Sequence, residues 1–404
     1  MSTMLNDPRL VTSPEGESTI GGLRRRLASA DLGSLPVILG LVVIWAIFQN
    51  ANSHFLSPLN LTNLLLQIAA VGTISVGIIL VLLLGEIDLS VGAVSGLCAG
   101  VMAVMNVKMG ISGPVAVLAG LVTGLLIGVL QGFWITKLRV PSFIVTLSGL
   151  LAWQGALLIV LGNTGTINLR DPFILGLAGT FLPPLAGWAV GALFVLAYVG
   201  AAVLQRQRRL AAGLGATSVA SLIGQLLVVV VGAALVVGVL NADRGLPSAV
   251  IIFVAIIVIF HWITKNTLFG RHIFAVGGNA EAARRASINV DRIRITVFVL
   301  CSTLAAAGGI LAASRLLAVN QSSGSGDLLL NAIAAAVIGG TSLFGGRGTV
   351  WAALLGSLVI GSISNGMDLL ALDASIKFMI TGGVLLLAVT LDALARRRRE
   401  ATGR

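Results

Sequence analysis

Apolar runs of about 20 residues recur along the chain, and this recurrence limits the fold more than any other feature. A helix of that length crosses the hydrocarbon core of a bilayer. The runs lie near residues 34–50, 62–84, 89–107, 113–136, 142–161, 180–204, 217–240, 247–264, 293–317, 328–342, 348–367 and 374–393. They predict an all-α polytopic membrane protein with about twelve transmembrane helices. The range is ten to twelve, since the run at 328–342 is short and could re-enter.

The composition supports this prediction and excludes several other classes. Hydrophobic residues make up 57% of the chain and charged residues only 10%, too few to cover a soluble domain. The 50 glycines favour close packing of membrane helices. Both cysteines, Cys98 and Cys301, fall in apolar runs, and the three histidines have no partners at metal-ligand spacing. We therefore predict no cofactor, metal site or disulfide framework.

Basic residues set the predicted orientation. With a cytoplasmic N-terminus, only five of the 26 basic residues fall outside: Lys108, Arg170, Arg244, Arg315 and Lys377. This asymmetry follows the positive-inside rule and places both termini in the cytoplasm. The net charge of +11 is thus explained by topology and contact with the bilayer rather than by nucleic acid.

Three regions follow from this pattern. Residues 1–32 form a polar cytoplasmic tail, 33–393 a single transmembrane domain that includes a cytoplasmic segment at 265–292, and 394–404 a basic cytoplasmic tail. No small-residue cleavage site follows the first apolar run, so we expect its helix to be retained.

A polar break, Glu86-Ile87-Asp88-Leu89-Ser90, separates the second and third runs. Carboxylates between membrane helices are costly unless they face water or protein. The pattern favours a helix break in which Ser90 or Asp88 caps the third helix. An interrupted helix that lines a transport path stays open, as does a proton-coupling role for Glu86 or Asp88.

The inner segment contains a second helical pattern at 280–285. Asn279 is suited to cap its N-terminus, and Glu281 near the start and the arginines near the end complement the helix dipole. A short capped helix outside the membrane is either an inert connector or a surface helix that fits a groove on a partner.

Three other polar regions suggest no catalysis. The glycine-rich stretch 339–349 is not a nucleotide-binding loop, because no lysine in the chain follows a glycine. It favours close-packed half-helices or a re-entrant turn. The stretch 322–326 lacks the pattern of a hydrolase nucleophile and is predicted to be an outer loop. The most polar outer segment, 162–179, is either a solvated loop or a surface for a solute or docking protein. The chain is therefore not predicted to be an enzyme.

Taken together, the motifs resemble the permeases of pentose-type sugar importers of the ATP-binding-cassette class, the ribose, arabinose and xylose group. The matching pieces keep their order over residues 35–393. They are 86–92, 141–147, 277–279 with 281–283, 332–335, 339–343 and 365–367. An extra pair of apolar runs at about 180–240 is similar to the xylose-type branch, since ribose-type members are shorter.

This resemblance implies a permease subunit without its own ATPase site that carries a monosaccharide, D-xylose or a related sugar. The implied partners are a cytoplasmic ATP-binding subunit, a periplasmic sugar-binding protein and a second permease copy. The family's ATPase-contacting loop corresponds here to Gly277, Gly278, Asn279, Glu281, Ala282 and Ala283. The family reads Ser-Gly-Ile after this helix, whereas this chain has Ser287 in place of the glycine. Ser287 must then form the tight helix exit.

Weakly polar and ionisable residues are expected to line the sugar path. The candidates are Glu86, Asp88, Ser90, Ser95, Thr123, Gln131 and Asn163. Two other functions stay open. A stand-alone ion-coupled transporter would need ionisable groups in mid-membrane, and a lipid-acting enzyme would need a clustered acid, base or metal site near the interface.

Overall fold

The computed structural model describes residues 35–163, 165–215 and 218–401, and this part of the chain is almost entirely helical. The predicted tail 1–32 lies outside these residues. The helices are α1 Leu35–Ala51, α2 Pro58–Leu83, α3 Val91–Ala103 with a π-helical continuation Val104–Lys108, α4 Gly113–Thr136, α5 Ser142–Leu161, α6 Pro172–Gly179, α7 Pro184–Ala211, α8 Val219–Asn241, α9 Ser248–Asn266, α10 Leu268–Gly278, α11 Ala280–Arg285, α12 Val290–Leu316, α13 Asp327–Ile338, α14 Ala352–Leu369 and α15 Ala374–Ala401. Four short strands complete the fold: β1 Thr166–Asn168, β2 Phe181–Leu182, β3 Leu246–Pro247 and β4 Ala318–Asn320.

Every predicted apolar run coincides with one of these helices. Within the described residues, nine helices are long and apolar enough to cross a membrane: α2, α3 with its continuation, α4, α5, α7, α8, α9, α12 and α14. Three shorter apolar helices correspond to the remaining runs: α1, α13 and the Ala374–Leu387 part of α15. The chain is therefore an all-α polytopic membrane protein, as predicted, while the count of twelve crossings stays a prediction.

Glycines bring the central helices into backbone contact. Gly120, Gly124, Gly128 and Gly132 recur at every fourth residue of α4, which places them on one face. A Cβ on Gly128 would lie 2.5 Å from the Val299 Cα of α12, and one on Gly124 would lie 2.7 Å from the Ser302 carbonyl oxygen. Only a residue without a side chain permits this approach, so the packing role expected for the glycines is confirmed on this face.

Helix α2 forms the centre of the molecule, and α7 and α8 lie at its edge. α2 packs against α9, α12, α13 and α14 and is 83% buried over its apolar window. α7 and α8 pack mainly on each other and are 6% buried. In this described hairpin the buried residues are Gly187, Val237 and Leu240. The hairpin corresponds to the extra pair of runs at about 180–240.

Segments predicted on the same side of the membrane meet in the structure. At one end β1 pairs antiparallel with β4, β2 pairs with β3, and the Asn52 side chain donates to the Leu369 carbonyl oxygen over 3.2 Å. At the other end the Gly346 amide donates to the Leu83 carbonyl oxygen over 2.9 Å. The alternation of the helices therefore agrees with the predicted topology, and we use "outer" and "inner" in that predicted sense.

Several boundaries differ from the sequence predictions. Segment 162–179 contains the short helix α6, and segment 265–292 contains α10 in addition to the predicted helix at 280–285. α13 ends at Ile338 rather than near 342, because Gly339 and Gly340 follow it and Gly340 has a φ of +102°. α15 continues to Ala401, beyond the predicted end at 393.

Candidate functional site

An amphipathic helical hairpin, α10–α11, forms the inner segment that was expected to contact an ATPase. The Thr267 hydroxyl caps α10 by accepting from the Gly270 amide over 3.1 Å. The Asn279 side chain caps α11 by accepting from the Ala282 amide over 2.9 Å. The prediction of a short helix at 280–285 capped by Asn279 is therefore confirmed.

At the end of α11, Ser287 adopts the backbone conformation that a glycine would normally adopt there. Ser287 has a φ of +62°, in the left-handed region. Its amide donates to the Arg284 carbonyl over 2.9 Å, and the Ile288 amide donates to the Ala283 carbonyl over 3.0 Å. These two bonds form a Schellman motif, which satisfies carbonyls at the helix end. The prediction that Ser287 forms the tight turn is confirmed.

The hairpin presents one face to the protein and another to its surroundings. Ala283 is buried, and Gly277 lies against the end of α2. Glu281 pairs with Arg284 at 3.7 Å and Arg285 at 3.5 Å, all three being exposed. Such surface pairs contribute little to stability and leave their charged groups accessible. The expected contact residues that are exposed are Gly278, Asn279, Glu281 and Ala282.

A backbone junction fixes the base of the hairpin. The Leu83 carbonyl oxygen at the end of α2 accepts from Gly346, and a Cβ on Gly277 would overlap that same oxygen. A Cβ on Gly345 would lie 2.7 Å from the Gly277 carbonyl oxygen and 2.9 Å from the Gly85 amide nitrogen. The glycine-rich stretch 339–349 therefore joins the hairpin to α2. We call this contact among Leu83, Gly85, Gly277, Gly345 and Gly346 the inner junction.

The polar break between α2 and α3 is non-helical and buries a hydrogen-bonded cluster. The Asp88 carboxylate accepts from the Ser90 amide over 2.8 Å and from the Ser90 hydroxyl over 2.6 Å. The Ser90 hydroxyl accepts in turn from the Gln131 side chain over 2.7 Å. Ser90 stands at the N-cap position of α3, but its hydroxyl makes no bond to that helix. The predicted helix break is thus present, whereas capping by the Ser90 side chain is wrong, because its hydroxyl oxygen accepts from Gln131 instead of from an amide of α3.

Some polar atoms in and beside this cluster have no hydrogen-bond partner. Asp88 Oδ2, Gln131 Oε1 and Trp153 Nε1 are buried and make no hydrogen bond in the structure. A Cβ on Gly149 would lie 2.9 Å from Gln131 Nε2 and 3.0 Å from Trp153 Nε1, so a side chain there would fill this space. Gln131 and Trp153 thus lie next to each other with one unused acceptor and one unused donor, a pair that suits a hydroxyl group, which both donates and accepts.

An ion pair joins the break to α12. Glu86 contacts Arg294 at 2.8 Å, with side chains 15% and 25% exposed, and accepts from the Ser142 hydroxyl. Arg294 lies in the first turns of α12, directly after the α10–α11 hairpin. Sequence reasoning missed Arg294, Ser142, Gly149 and Trp153, because only the fold brings these distant positions to the break.

The remaining predicted path residues lie elsewhere. Ser95 is buried and its hydroxyl donates to the Gly92 carbonyl over 2.6 Å. The Thr123 hydroxyl likewise donates to its own helix, at Ala119. Asn163 is exposed just beyond the outer end of α5, a helix whose inner end contacts Glu86. Since α5 is about 30 Å long, Asn163 does not share a site with the break.

The outer segment 162–179 is ordered by one carboxylate. Asp171 accepts from the amides of Phe173, Ile174 and Gly113 and from the Asn106 side chain. Burial opposes the charged carboxylate, but these hydrogen bonds outweigh it and lower the pKa of Asp171. Around it lies an open concavity of about 740 Å³ whose polar lining includes Asn106, Lys108, Thr166, Asn168, Arg170 and Asp171.

Comparison with known proteins places the whole arrangement in one family. The profile described as "Branched-chain amino acid transport system / permease component" matches residues 60–389. The chain belongs to this permease family. The match covers the central helices, the break after α2, the α10–α11 hairpin and the inner junction.

Individual relatives extend over most of the chain. It is 37% identical over 376 residues to the xylose transport system permease protein of Escherichia coli K12, covering 92% of this chain and 94% of the relative. It is 31% identical over 378 residues to the ribose import permease protein of the same organism, covering 93% and 98%. The L-arabinose ABC transporter permease protein of Azospirillum brasilense is 31% identical over 396 residues, covering 96% of each chain. No solved structure matches. The resemblance to pentose-type permeases is confirmed.

Proposed function

We propose that this chain is the membrane-spanning permease subunit of an ATP-binding-cassette importer in a bacterial inner membrane. Its cargo is a monosaccharide, D-xylose or a related sugar. The identity to a xylose permease over nearly the full length supports this choice, as does the peripheral α7–α8 hairpin. The subunit does not hydrolyse ATP itself and works with a separate cytoplasmic ATPase.

The α10–α11 hairpin is the observation that carries the proposal. Its outward residues Gly278, Asn279, Glu281 and Ala282 are exposed, while its inward face is anchored at the inner junction. A short helix with one anchored and one open face suits insertion into a groove of a partner. Movement of the partner then passes through Gly277 to the ends of α2 and of the 339–349 stretch.

The sugar path is proposed to pass the polar break. Asp88 and Ser90, with Gln131, offer buried hydroxyl-binding groups, and Glu86 and Arg294 close the inner side of the break. Non-helical backbone within a membrane is tolerated where it is enclosed by protein or lines a cavity. Asn163 belongs to the outer surface, where 162–179 is proposed to meet a periplasmic sugar-binding protein. A second copy of this chain is proposed to complete the permease.

Sugar uptake by the reconstituted transporter tests this function. The chain is placed in proteoliposomes with its cognate ATPase and binding protein, and ATP-dependent uptake of labelled D-xylose is measured. Two changes at one residue form a matched pair. Gly278→Ala leaves the fold intact, because no atom lies within 4 Å of the added Cβ, whereas Gly278→Pro removes the amide donor at the end of α10. Glu281→Ala removes the carboxylate from the open face.

The proposal expects uptake that requires all three components, persists in Gly278→Ala and is lost in Gly278→Pro while the protein still inserts. Glu281→Ala should weaken binding of the ATPase without changing the free energy of unfolding of the permease by more than about 0.5 kcal/mol. Uptake by the chain alone, driven by a proton gradient, would refute the proposal and establish an ion-coupled transporter.

A further inference from the structure

A polar stretch that leads from β4 into α13, and that contains the predicted outer loop 322–326, contacts a part of α3 far from its outer end. This stretch, residues 321–327, reads Gln-Ser-Ser-Gly-Ser-Gly-Asp and is called the polar turn below. It packs into the beginning of α3. A Cβ on Gly96 would overlap the Ser323 carbonyl oxygen, and a Cβ on Gly92 would lie 2.5 Å from the Gly324 carbonyl oxygen.

Helix α12 gives the depth of this contact. Its residues 295–314 carry no charge and extend for about 30 Å, which is the thickness of the hydrocarbon core. Gly309 of α12 packs against the Ser95 carbonyl oxygen, next to Gly96. Gly309 lies six residues before Arg315, so the polar turn reaches about 9 Å below the level of Arg315. Gly92 lies one helical turn deeper in α3 and contacts Gly324. This second contact is about 15 Å below the level of Arg315, near the middle of the membrane.

Helix α13 completes the crossing from that depth. It has 12 residues, from Asp327 to Ile338, and is therefore about 18 Å long. Gly339 at its end packs against Ala352 at the start of α14, on the inner side. The chain thus crosses the outer half of the membrane as a non-helical turn and the inner half as a short helix.

The polar turn is also exposed on the surface of the single chain. Gln321, Ser322, Gly326 and Asp327 are exposed, and Ser323 is partly so. Lipid offers no partners for the Asp327 carboxylate, the Gln321 side-chain amide or the Ser322 hydroxyl at this depth. Non-helical backbone there must face other protein or water.

We infer that the polar turn lines the water-filled sugar path, on the surface that the chain turns toward its second copy. The turn supplies hydroxyl, amide and carboxylate groups suited to the hydroxyls of a monosaccharide. It lies outward of the Asp88–Ser90–Gln131 cluster along the same helix α3, so the two polar sites follow one another through the membrane. The inference rests on the proposed function and assigns the path to a segment of this chain.

Cysteine accessibility in the complete transporter tests the inference. The Ser322→Cys variant is placed in the reconstituted complex and reacted with a charged, membrane-impermeant methanethiosulfonate. The native Cys98 and Cys301 are fully buried and give a low background. Val122→Cys is the matched control, since Val122 is 42% exposed and lies between Gly120 and Gly124, which contact Ile310 and Ala306. Val122 therefore lies at the same depth in the membrane as Gly309, on an apolar face of α4.

The inference expects the Ser322→Cys variant to react at least about tenfold faster than the Val122→Cys variant. A thiol in water ionises to the thiolate, which attacks the sulfur of the reagent, forms a mixed disulfide and releases methanesulfinate. Sugar-loaded binding protein with ATP should change that rate. The adduct at position 322 should abolish uptake while ATP hydrolysis continues.

Two outcomes would overturn the inference. One is labelling at position 322 as slow as labelling at position 122. The other is spontaneous disulfide cross-linking between the two copies of the Ser322→Cys variant with exclusion of the reagent, since the turn would then be a dry contact between copies. Loss of uptake in the unsubstituted complex would instead count against the proposed function, while the labelling rates would still report on the path.

Discussion

Replacing Gly277 with alanine should break the inner junction at one defined atom. The new Cβ would overlap the Leu83 carbonyl oxygen and lie 2.8 Å from the Gly346 nitrogen, the two atoms that form a 2.9 Å hydrogen bond. Loss of that bond costs about 0.5–1.5 kcal/mol, and separating the packed backbones costs roughly 1–3 kcal/mol. We expect the variant to lose about 2–4 kcal/mol of stability. At roughly 2 °C per kcal/mol, its thermal midpoint in nanodiscs should fall by about 4–8 °C.

The adjacent glycine provides the control for this experiment. Gly278→Ala makes the same chemical change at the end of the same helix, with no atom within 4 Å of the new Cβ. Thermal midpoint, ATP-driven uptake and ATP hydrolysis would be measured on both variants in the complete complex. Gly277→Ala should lower uptake more than ATP hydrolysis, because the junction links the hairpin to α2. Equal midpoints and equal uptake in the two variants would refute the argument that this contact transmits motion.

Three further predictions concern residues outside the junction. Ser287→Gly should raise the thermal midpoint by about 2 °C, corresponding to about 1 kcal/mol, since glycine adopts the observed φ of +62° without strain. A midpoint that stays level or falls would contradict this. Glu86→Gln and Arg294→Gln should each lower the free energy of unfolding by about 1–2 kcal/mol, less than for a fully buried pair because both side chains are partly exposed. A double-mutant cycle in thermal unfolding should show coupling between the two residues. Additive effects would exclude a direct interaction. The pKa of Asp171 is lower in the folded protein than in the unfolded chain, where it is near 4, so the ionised carboxylate stabilises the folded state at pH values above about 4. This stabilisation is lost as the pH falls through the pKa of Asp171 in the folded protein. The Asp171→Asn variant should therefore be less stable than the unsubstituted protein at pH 7, but should lose less further stability between about pH 4 and pH 2, as measured by thermal midpoint. A pH profile of the variant that matches that of the unsubstituted protein would contradict the stabilising role of the Asp171 carboxylate.

The sequence was informative where a feature depends on local pattern. Apolar runs located the membrane helices, because length and hydropathy alone determine whether a helix can cross. The cap at Asn279 and the left-handed turn at Ser287 were predictable for the same reason, since each depends on a few neighbouring residues. The family motifs located the hairpin as a whole.

Features that depend on distant backbone contacts were not predictable. Nothing in the residues around 321–327 indicates that this stretch descends to Gly92 and Gly96, and the periodicity of α4 does not reveal which helix its glycines meet. Arg294 was missed because its partner Glu86 is about 200 residues away in the chain, and ion pairs at such separation leave no pattern in a single sequence. The predicted capping role of Ser90 failed because the distant Gln131 side chain donates to its hydroxyl oxygen, a contact that only the fold decides.

The shallow attachment of the α7–α8 hairpin has an evolutionary consequence. The hairpin shares very little buried area with the core. If it were lost, lipid would cover the small surface of the core that it now touches, and the stability of the remaining helices would change little. It also enters and leaves the membrane on the same side, so its removal preserves the orientation of every helix that follows. Such a unit can be inserted or deleted in one genetic step, which would let permeases of different length descend from a shared transport core.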